Sequence, residues 1–120
     1  MYNTAKALYT FWGSFGIPAY IEDNVPDDAV MPYLTYRLIE PVWQSFASTY
    51  VRLWYRDTSY TNISRKIDEI KNTIGEGITI PTEDGCVALF PDELFSQFEP
   101  SGQIDIKLAY LSLIQHSITS

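Results

Sequence analysis

The centre of the chain carries two regular hydrophobic patterns, one directly after the other. Between residues 47 and 57 apolar and polar residues alternate, as they do along a strand that buries one face. The predicted core face holds Ala47, Thr49, Val51, Leu53 and Tyr55. The next apolar residues are three or four positions apart, which is the spacing of one helical face; they are Tyr60, Ile63, Ile67, Ile70 and Ile74. The patterns predict a strand–helix unit over residues 45–74, around which the rest of the chain is organised.

The N-terminal part predicts another helix and two strands. Asn3 or Thr4 can cap a helix that runs to about Phe15, and Gly16 can end it in a left-handed conformation. Strands are expected at residues 19–22 and 33–39. Residues 22–32 contain two prolines and adjacent acids, so we expect a long loop there that is either mobile or used for contact. The short link through residues 42–44 predicts an antiparallel hairpin into the central strand.

The boundaries of the second half follow from turn residues. Asp57 or Thr58 is the expected N-cap of the central helix, and Gly75 and Gly77 are expected to end it. A hairpin of residues 78–81 and 86–90 is predicted around an Asp-Gly turn. Residues 91–102 are interpreted as a second long loop, with phenylalanines at 95 and 98 as anchors. Residues 103–116 alternate again and predict the last strand, with its far end covered on both faces.

The order of these elements predicts one α+β domain over residues 1–120. We expect a mainly antiparallel sheet of about five to six strands with two helices packed on one face. An apolar content of 46% is sufficient for such a core. The aromatic content of 15% exceeds what core packing needs, and tyrosine and tryptophan favour surfaces that become half-buried against a partner.

Charge and cysteine content narrow the classes of function. The net charge of −7 argues against binding of nucleic acid and against binding to an anionic membrane surface. DNA can nevertheless pass close to an acidic wall without binding to it. The one cysteine, Cys86, cannot form an internal disulfide, and zinc-ligand spacing is absent, so we expect a reducing, intracellular origin. Neither a signal peptide nor a membrane-spanning stretch is predicted.

The residues that usually carry catalysis occur here in unpromising settings. His116, near the end of the predicted last strand, is expected to be a solvated polar residue. Cys86 lies in an apolar hairpin strand and is expected to be a small buried hydrophobe. Two adjacent acid pairs, Asp27 with Asp28 and Glu83 with Asp84, fit neither a glycosidase dyad nor a calcium loop. We therefore predict no enzyme activity, no cofactor and no metal.

The candidate interface residues lie on the central strand and in the acidic turns. Arg52, Trp54 and Arg56 share one strand face, which suits an acidic or aromatic partner. The same three side chains could instead lie under acidic loops of their own chain. If copies of the chain assemble, we expect the loop of Asp27 and Asp28 or the turn of Glu83 and Asp84 to face a neighbouring copy or a lumen.

Four short motifs together resemble a known family. They are Gly-Ile-Pro-Ala-Tyr at residues 16–20, a Val-Pro loop at 25–26, Pro-Tyr-Leu-Thr-Tyr at 32–36 and Leu-Trp-Tyr-Arg-Asp at 53–57, the last followed directly by a helix. Over roughly residues 1–80 the chain resembles the tail-terminator and neck proteins of long-tailed bacteriophages and prophages. The motifs are non-catalytic, and the remainder matches only in its number of strands.

The resemblance implies an assembly role. Such proteins form a ring, commonly six-fold, on the last ring of the tail tube, where they stop tube growth and offer a surface to the head connector. The implied partners are further copies of the chain, the major tail-tube protein and the head connector, with DNA passing through without specific binding. The implied location is the virion, assembled in the host cytoplasm. Three alternatives remain at this point: a head-closure or tail-completion protein, a monomeric binding adaptor using the Arg52 face, and a small enzyme.

Overall fold

A computed structural model of the protein describes residues 1–42 and 45–119, with side chains to residue 117. Helix α1 (Tyr2–Trp12) continues into a 3-10 turn (Gly13–Phe15), and helix α2 (Thr61–Ile74) follows the third strand. The strands, in chain order, are β1 (Ala19–Ile21), β2 (Tyr33–Tyr36), β3 (Phe46–Arg56), β4 (Ile78–Pro81), β5 (Gly85–Glu99) and β6 (Ile106–Thr119).

The strands of the described residues form one curled sheet in the order β1-β2-β3-β6-β5-β4. Only β1 and β2 are parallel, and the other neighbours are antiparallel. Helix α1 lies against the edge strands β1 and β4, while α2 lies against β3 and β5. The predicted α+β class is confirmed. The predicted hairpin pairing of β2 with β3 is also observed, although Trp43 and Gln44 of its link lie outside the described residues.

The core lies between the helices and the face of the sheet that they cover, which we call the covered face. Thr49, Val51, Leu53 and Tyr55 of β3 are buried there, as the alternation predicted. The isoleucines of α2 are buried as well, so the helical spacing identified the correct face. The main apolar side chains that complete this core are Leu8, Trp12, Phe15, Leu34, Tyr36, Val87, Leu89, Leu111 and Leu113.

The helix starts differ from the predicted caps. Helix α1 begins at Tyr2, and Thr4 is a buried residue within it, so neither Asn3 nor Thr4 is its N-cap. Helix α2 begins at Thr61, four residues after Asp57. The Asp57 carboxylate instead accepts hydrogen bonds from the Ser59 backbone N–H (3.0 Å) and the Asn62 side chain (2.9 Å). Asp57 therefore shapes the turn before the helix, because an aspartate can bond the backbone two residues ahead.

The helix ends and the shorter strands agree more closely with the sequence. Gly16 follows the 3-10 turn with φ 84°, and Gly75 ends α2 with φ 58°, both in the region that favours glycine. Residues 22–32 form the expected loop. Strand β2 ends at Tyr36 rather than at Ile39, and β6 begins at Ile106 and continues beyond the predicted end.

The predicted loop at residues 91–102 is wrong, because β5 continues to Glu99. Pro91 pairs with Leu113 and Ser96 with Leu111, so four residues of β5 oppose one residue of β6. This irregularity is a β-bulge over residues 92–95, which we call the acidic bulge because it begins with Asp92 and Glu93. Pro91 has no backbone N–H to donate to a neighbouring strand, and prolines within sheets are found at bulges. Beyond the bulge, residues 96–99 pair with the long strand β6 again.

Candidate functional site

The face of the sheet away from the helices, here the outer face, contains a cluster of one arginine and two tyrosines. Arg52 of β3 pairs in register with Tyr110 of β6, and Tyr50 is two residues away on the same face. The two tyrosine rings stack with centroids 4.9 Å apart. The Arg52 guanidinium carbon lies 5.0 Å from the Tyr50 centroid and 5.4 Å from that of Tyr110. The arginine is therefore held by cation–π contacts with both rings.

Two carboxylates complete this cluster. Arg52 Nε donates to Glu99 Oε1 at 3.2 Å, and the Tyr50 hydroxyl donates to Glu22. Burial acts to lower the pKa of Arg52, but Glu99 and the tyrosines outweigh it, so this pKa lies above its ordinary value. The hydrogen bond to Glu22, reinforced by burial, raises the pKa of Tyr50. The cluster therefore holds a permanent cation beside a neutral phenol donor.

Trp54 begins an aromatic row that crosses β3, β2 and β1. Its ring stacks on Tyr33 with centroids 5.9 Å apart, and Tyr33 meets Tyr20 edge-on at 5.6 Å. The indole Nε1 donates to the hydroxyl of Thr35 at 3.0 Å, and Thr35 is buried beneath it. A buried hydroxyl needs such a partner, so the bond fixes the indole orientation.

The structure places Arg52, Trp54 and Arg56 on one face, as the alternation predicted, and gives each a contact within the chain. Arg56 forms an exposed ion pair with Asp105 at 2.8 Å. The carboxylates that meet the two arginines come from the end of β5 and the residue before β6, rather than from the acidic turns. The three side chains thus tie β3 to its neighbours on the outer face.

The two acid pairs lie near opposite edges of the sheet. Asp27 and Asp28 are exposed in the loop between β1 and β2, and neither forms an ion pair with the described part of the chain. Glu83 follows β4 and lies 3.8 Å from Lys6 of α1. Asp84 accepts a hydrogen bond from Thr82 at 3.1 Å. Asp27, Asp28 and Glu83 are exposed as expected, whereas Asp84 is half-buried, and the structure does not bring the pairs together.

A groove between α1 and β4 was not predicted. It has a volume of about 540 Å³, and Lys6 and Glu83 stand at its rim. Its floor is largely apolar and includes Ala7, Phe11, Ile80 and Pro81. The groove forms only when the first helix packs on the edge strand, a contact over more than seventy residues of sequence. No local pattern encodes such a contact.

His116 and Cys86 lie at the end of the sheet where the start of β5 pairs with the end of β6. The His116 ring stacks on Phe46 at 4.3 Å, with Nδ1 3.1 Å from the Ser45 carbonyl oxygen. Cys86 is half-buried rather than fully buried, because it lies in the short β4–β5 hairpin at the sheet edge. Over residues 1–42 and 45–119 no group of three or more histidine, cysteine or acidic residues is placed to bind a metal. No helix within those ranges is long and apolar enough to span a membrane.

Comparison with known proteins gives a likeness of fold. No protein-family model matches the sequence, and no curated protein matches it. A chain in the solved structure of the virion of a native gene transfer agent (GTA) particle has a similar fold, with a TM-score of 0.65 and 10% identity. The match covers 97% of this chain and 98% of that chain. The two chains therefore share their architecture over their whole lengths.

Proposed function

We propose that the protein is a structural subunit of a phage-like virion that forms a ring in the neck. The ring would terminate the tail tube and join it to the head connector. The observation that carries the proposal is the likeness of fold to a chain of a virion particle over nearly the full length of both chains. The resemblance of residues 1–80 to tail-terminator and neck proteins adds the position in the particle.

The surface of the chain is consistent with ring assembly. A ring needs heterologous contacts, in which one patch of a subunit meets a different patch of the next. Exposed apolar side chains occur at several separate places, including Tyr9 on α1, Val30 in the β1–β2 loop, Phe46 on β3 and Leu94 on β5. We expect a six-fold ring with partners above and below it, namely the head connector and the major tail-tube protein.

The acidic loop between β1 and β2 has a proposed role at the lumen or at a neighbour. Asp27 and Asp28 are exposed and form no ion pairs with described residues, so their carboxylates make the surface of this loop negative. Negative charge on a channel wall repels phosphate and lets DNA pass without binding. Replacing both residues by asparagine should therefore alter ring assembly or DNA release. Unchanged assembly and release would remove this assignment.

The remaining candidate residues form a secondary part of the proposed interface. Arg56 is the most exposed of the three on β3, and its ion pair with Asp105 is weak enough to be exchanged for a partner's carboxylate. Arg52 and Trp54 would act by holding the outer face in shape. Asp84 would hold the β4–β5 turn that presents Glu83.

Loss of the gene in a particle-producing cell tests the proposal. Without a terminator, tubes should grow to irregular length and remain unjoined to heads, and a plasmid copy should restore joined particles. Tails of normal length beside heads that lose DNA would indicate a head-closure protein instead. Normal, infective particles without the protein would refute a virion role. The remaining alternative would then be a binding adaptor that acts outside the particle.

A further inference from the structure

The acidic bulge of β5 and the groove between α1 and β4 are complementary in charge and in apolar surface. We propose that the bulge of one copy of this chain docks in the groove of the next copy. The inference rests on the proposed ring and deepens it, because it names the two patches that meet. It concerns residues 92–95 on one side and the groove beside Lys6 on the other.

The bulge presents a charged and an apolar group together. Leu94 is 62% exposed, while the next residue, Phe95, packs against the core and anchors the bulge. Asp92 accepts a hydrogen bond from the Glu93 backbone N–H at 2.7 Å, and Glu93 is exposed. Bulged and charged edges also block unwanted strand pairing. That role explains the carboxylates but not a leucine exposed beside them.

The groove supplies what these residues lack. Its floor of Ala7, Phe11, Ile80 and Pro81 can cover a leucine side chain. Lys6 at the rim is 61% exposed, and its ion pair with Glu83 is long, at 3.8 Å. Lys6 can therefore leave Glu83 and pair with a carboxylate of the bulge at little cost in free energy. Among the described residues that line the groove, Glu83 is the only acid, and its repulsion favours a docked orientation that places the bulge carboxylates on the Lys6 side.

One copy cannot fill its own groove. The groove lies beside the turn end of the hairpin, where Pro81 pairs with Cys86, and the bulge begins six residues further along β5. At about 3.3 Å per residue the two patches are roughly 20 Å apart along the strand. Two different patches that are separated in this way make a heterologous contact, which extends from copy to copy and closes as a ring when the rotation between neighbouring copies allows it.

Disulfide trapping tests the contact. In a Cys86→Ala background, Thr10→Cys places a thiol in the groove and Leu94→Cys places one on the bulge, both at exposed positions. Under mild oxidation we expect the pair to give a ladder of covalent species larger than a dimer. Each single variant should give dimers at most. The control pair of Thr10→Cys with Ile104→Cys uses a side chain that is 82% exposed outside the bulge, and should give no ladder.

A charge exchange provides the second measurement. Lys6→Glu and the double change Asp92→Lys with Glu93→Lys should each weaken self-association by roughly two- to fivefold, as exposed ion pairs do. Combining all three changes should restore most of the association. Lys71→Glu, on the exposed face of α2, is the matched control and should have a smaller effect.

The outcomes separate this contact from the proposed function. A chain that is present in purified particles but gives no more ladder than the control pair would overturn the docking. Cross-linking of Leu94→Cys to a different virion protein would overturn it as well. A ladder from a chain that is absent from particles would support the contact and contradict the virion role.

Discussion

Strand β3 contributes alternate residues to the covered face and to the outer face of the sheet. On the covered face Val51 and Leu53 are almost completely buried and belong to the apolar core. On the outer face Arg52 and Trp54 are half-buried by neighbouring side chains and end in polar contacts. The first face supplies most of the stability. The second arranges charge and aromatic rings at the surface.

The largest loss of stability is expected from a substitution in the core at the covered face. Ile70 is fully buried in α2, so Ile70→Ala should lower the free energy of unfolding by about 2–5 kcal/mol through lost burial and a residual cavity. Ile104→Ala, at an exposed position, should change it by less than about 0.5 kcal/mol. Urea denaturation of both variants checks the pair. Equal effects would show that the isoleucine face of α2 is not the core.

The next effect is steric and concerns Gly77, which precedes β4. A Cβ atom at residue 77 would lie 2.6 Å from the Phe90 ring, so Gly77→Ala should cost about 1–3 kcal/mol unless the ring moves. Gly13→Ala, where a Cβ meets nothing within 4 Å, is the control and should be neutral or stabilising by up to about 1 kcal/mol. Thermal melting compares the two variants. A harmless Gly77→Ala would mean that Phe90 can leave its place on the sheet.

A smaller loss of stability is expected from a substitution on the outer face. Trp54→Phe keeps a ring over Tyr33 but removes the hydrogen bond to the buried Thr35 hydroxyl, which should cost about 1 kcal/mol. In a double-mutant cycle with Thr35→Val, the two changes should couple by about 0.5–1.5 kcal/mol. Additive changes would contradict a structural role for this bond.

The smallest effect is a pH dependence. The hydrogen bond to Glu22 and burial raise the pKa of Tyr50. A raised pKa in the folded state means that the stabilisation is complete below the pKa of an unfolded tyrosine, and is lost as the pH rises through the folded pKa. Stability should therefore fall at alkaline pH in the wild type, and less steeply in Tyr50→Phe. Identical alkaline limbs in denaturation curves of the two proteins would refute the contribution of this bond.

The same contrast explains what could be predicted from the sequence. The alternation in β3 and the spacing of the isoleucines in α2 depend on local period alone, and both identified the buried residues. The continuation of β5 beyond Pro91 depends on pairing of residues 96–99 with residues 108–111 of β6, whereas the proline and its acidic neighbours locally resemble a loop. Asp57 was a plausible cap by residue type, but its side chain forms an earlier turn.

The candidate site was predictable only in part, for a related reason. Alternation placed Arg52, Trp54 and Arg56 on one face, but could not reveal that Glu99 and Asp105 meet the two arginines. Those ion pairs join residues nearly fifty positions apart. The groove beside Lys6 likewise depends on packing between distant elements, so its apolar floor leaves no periodic signal in the sequence.

A reconstruction of the neck of purified particles by electron microscopy would show whether this chain forms a ring there. The proposed function predicts that this chain forms a closed ring, expected to be six-fold, between the last ring of the tail tube and the head connector. Within that ring we expect residues 92–95 of each subunit to meet the groove beside Lys6 of the next. Particles whose neck is complete without this chain would contradict the account.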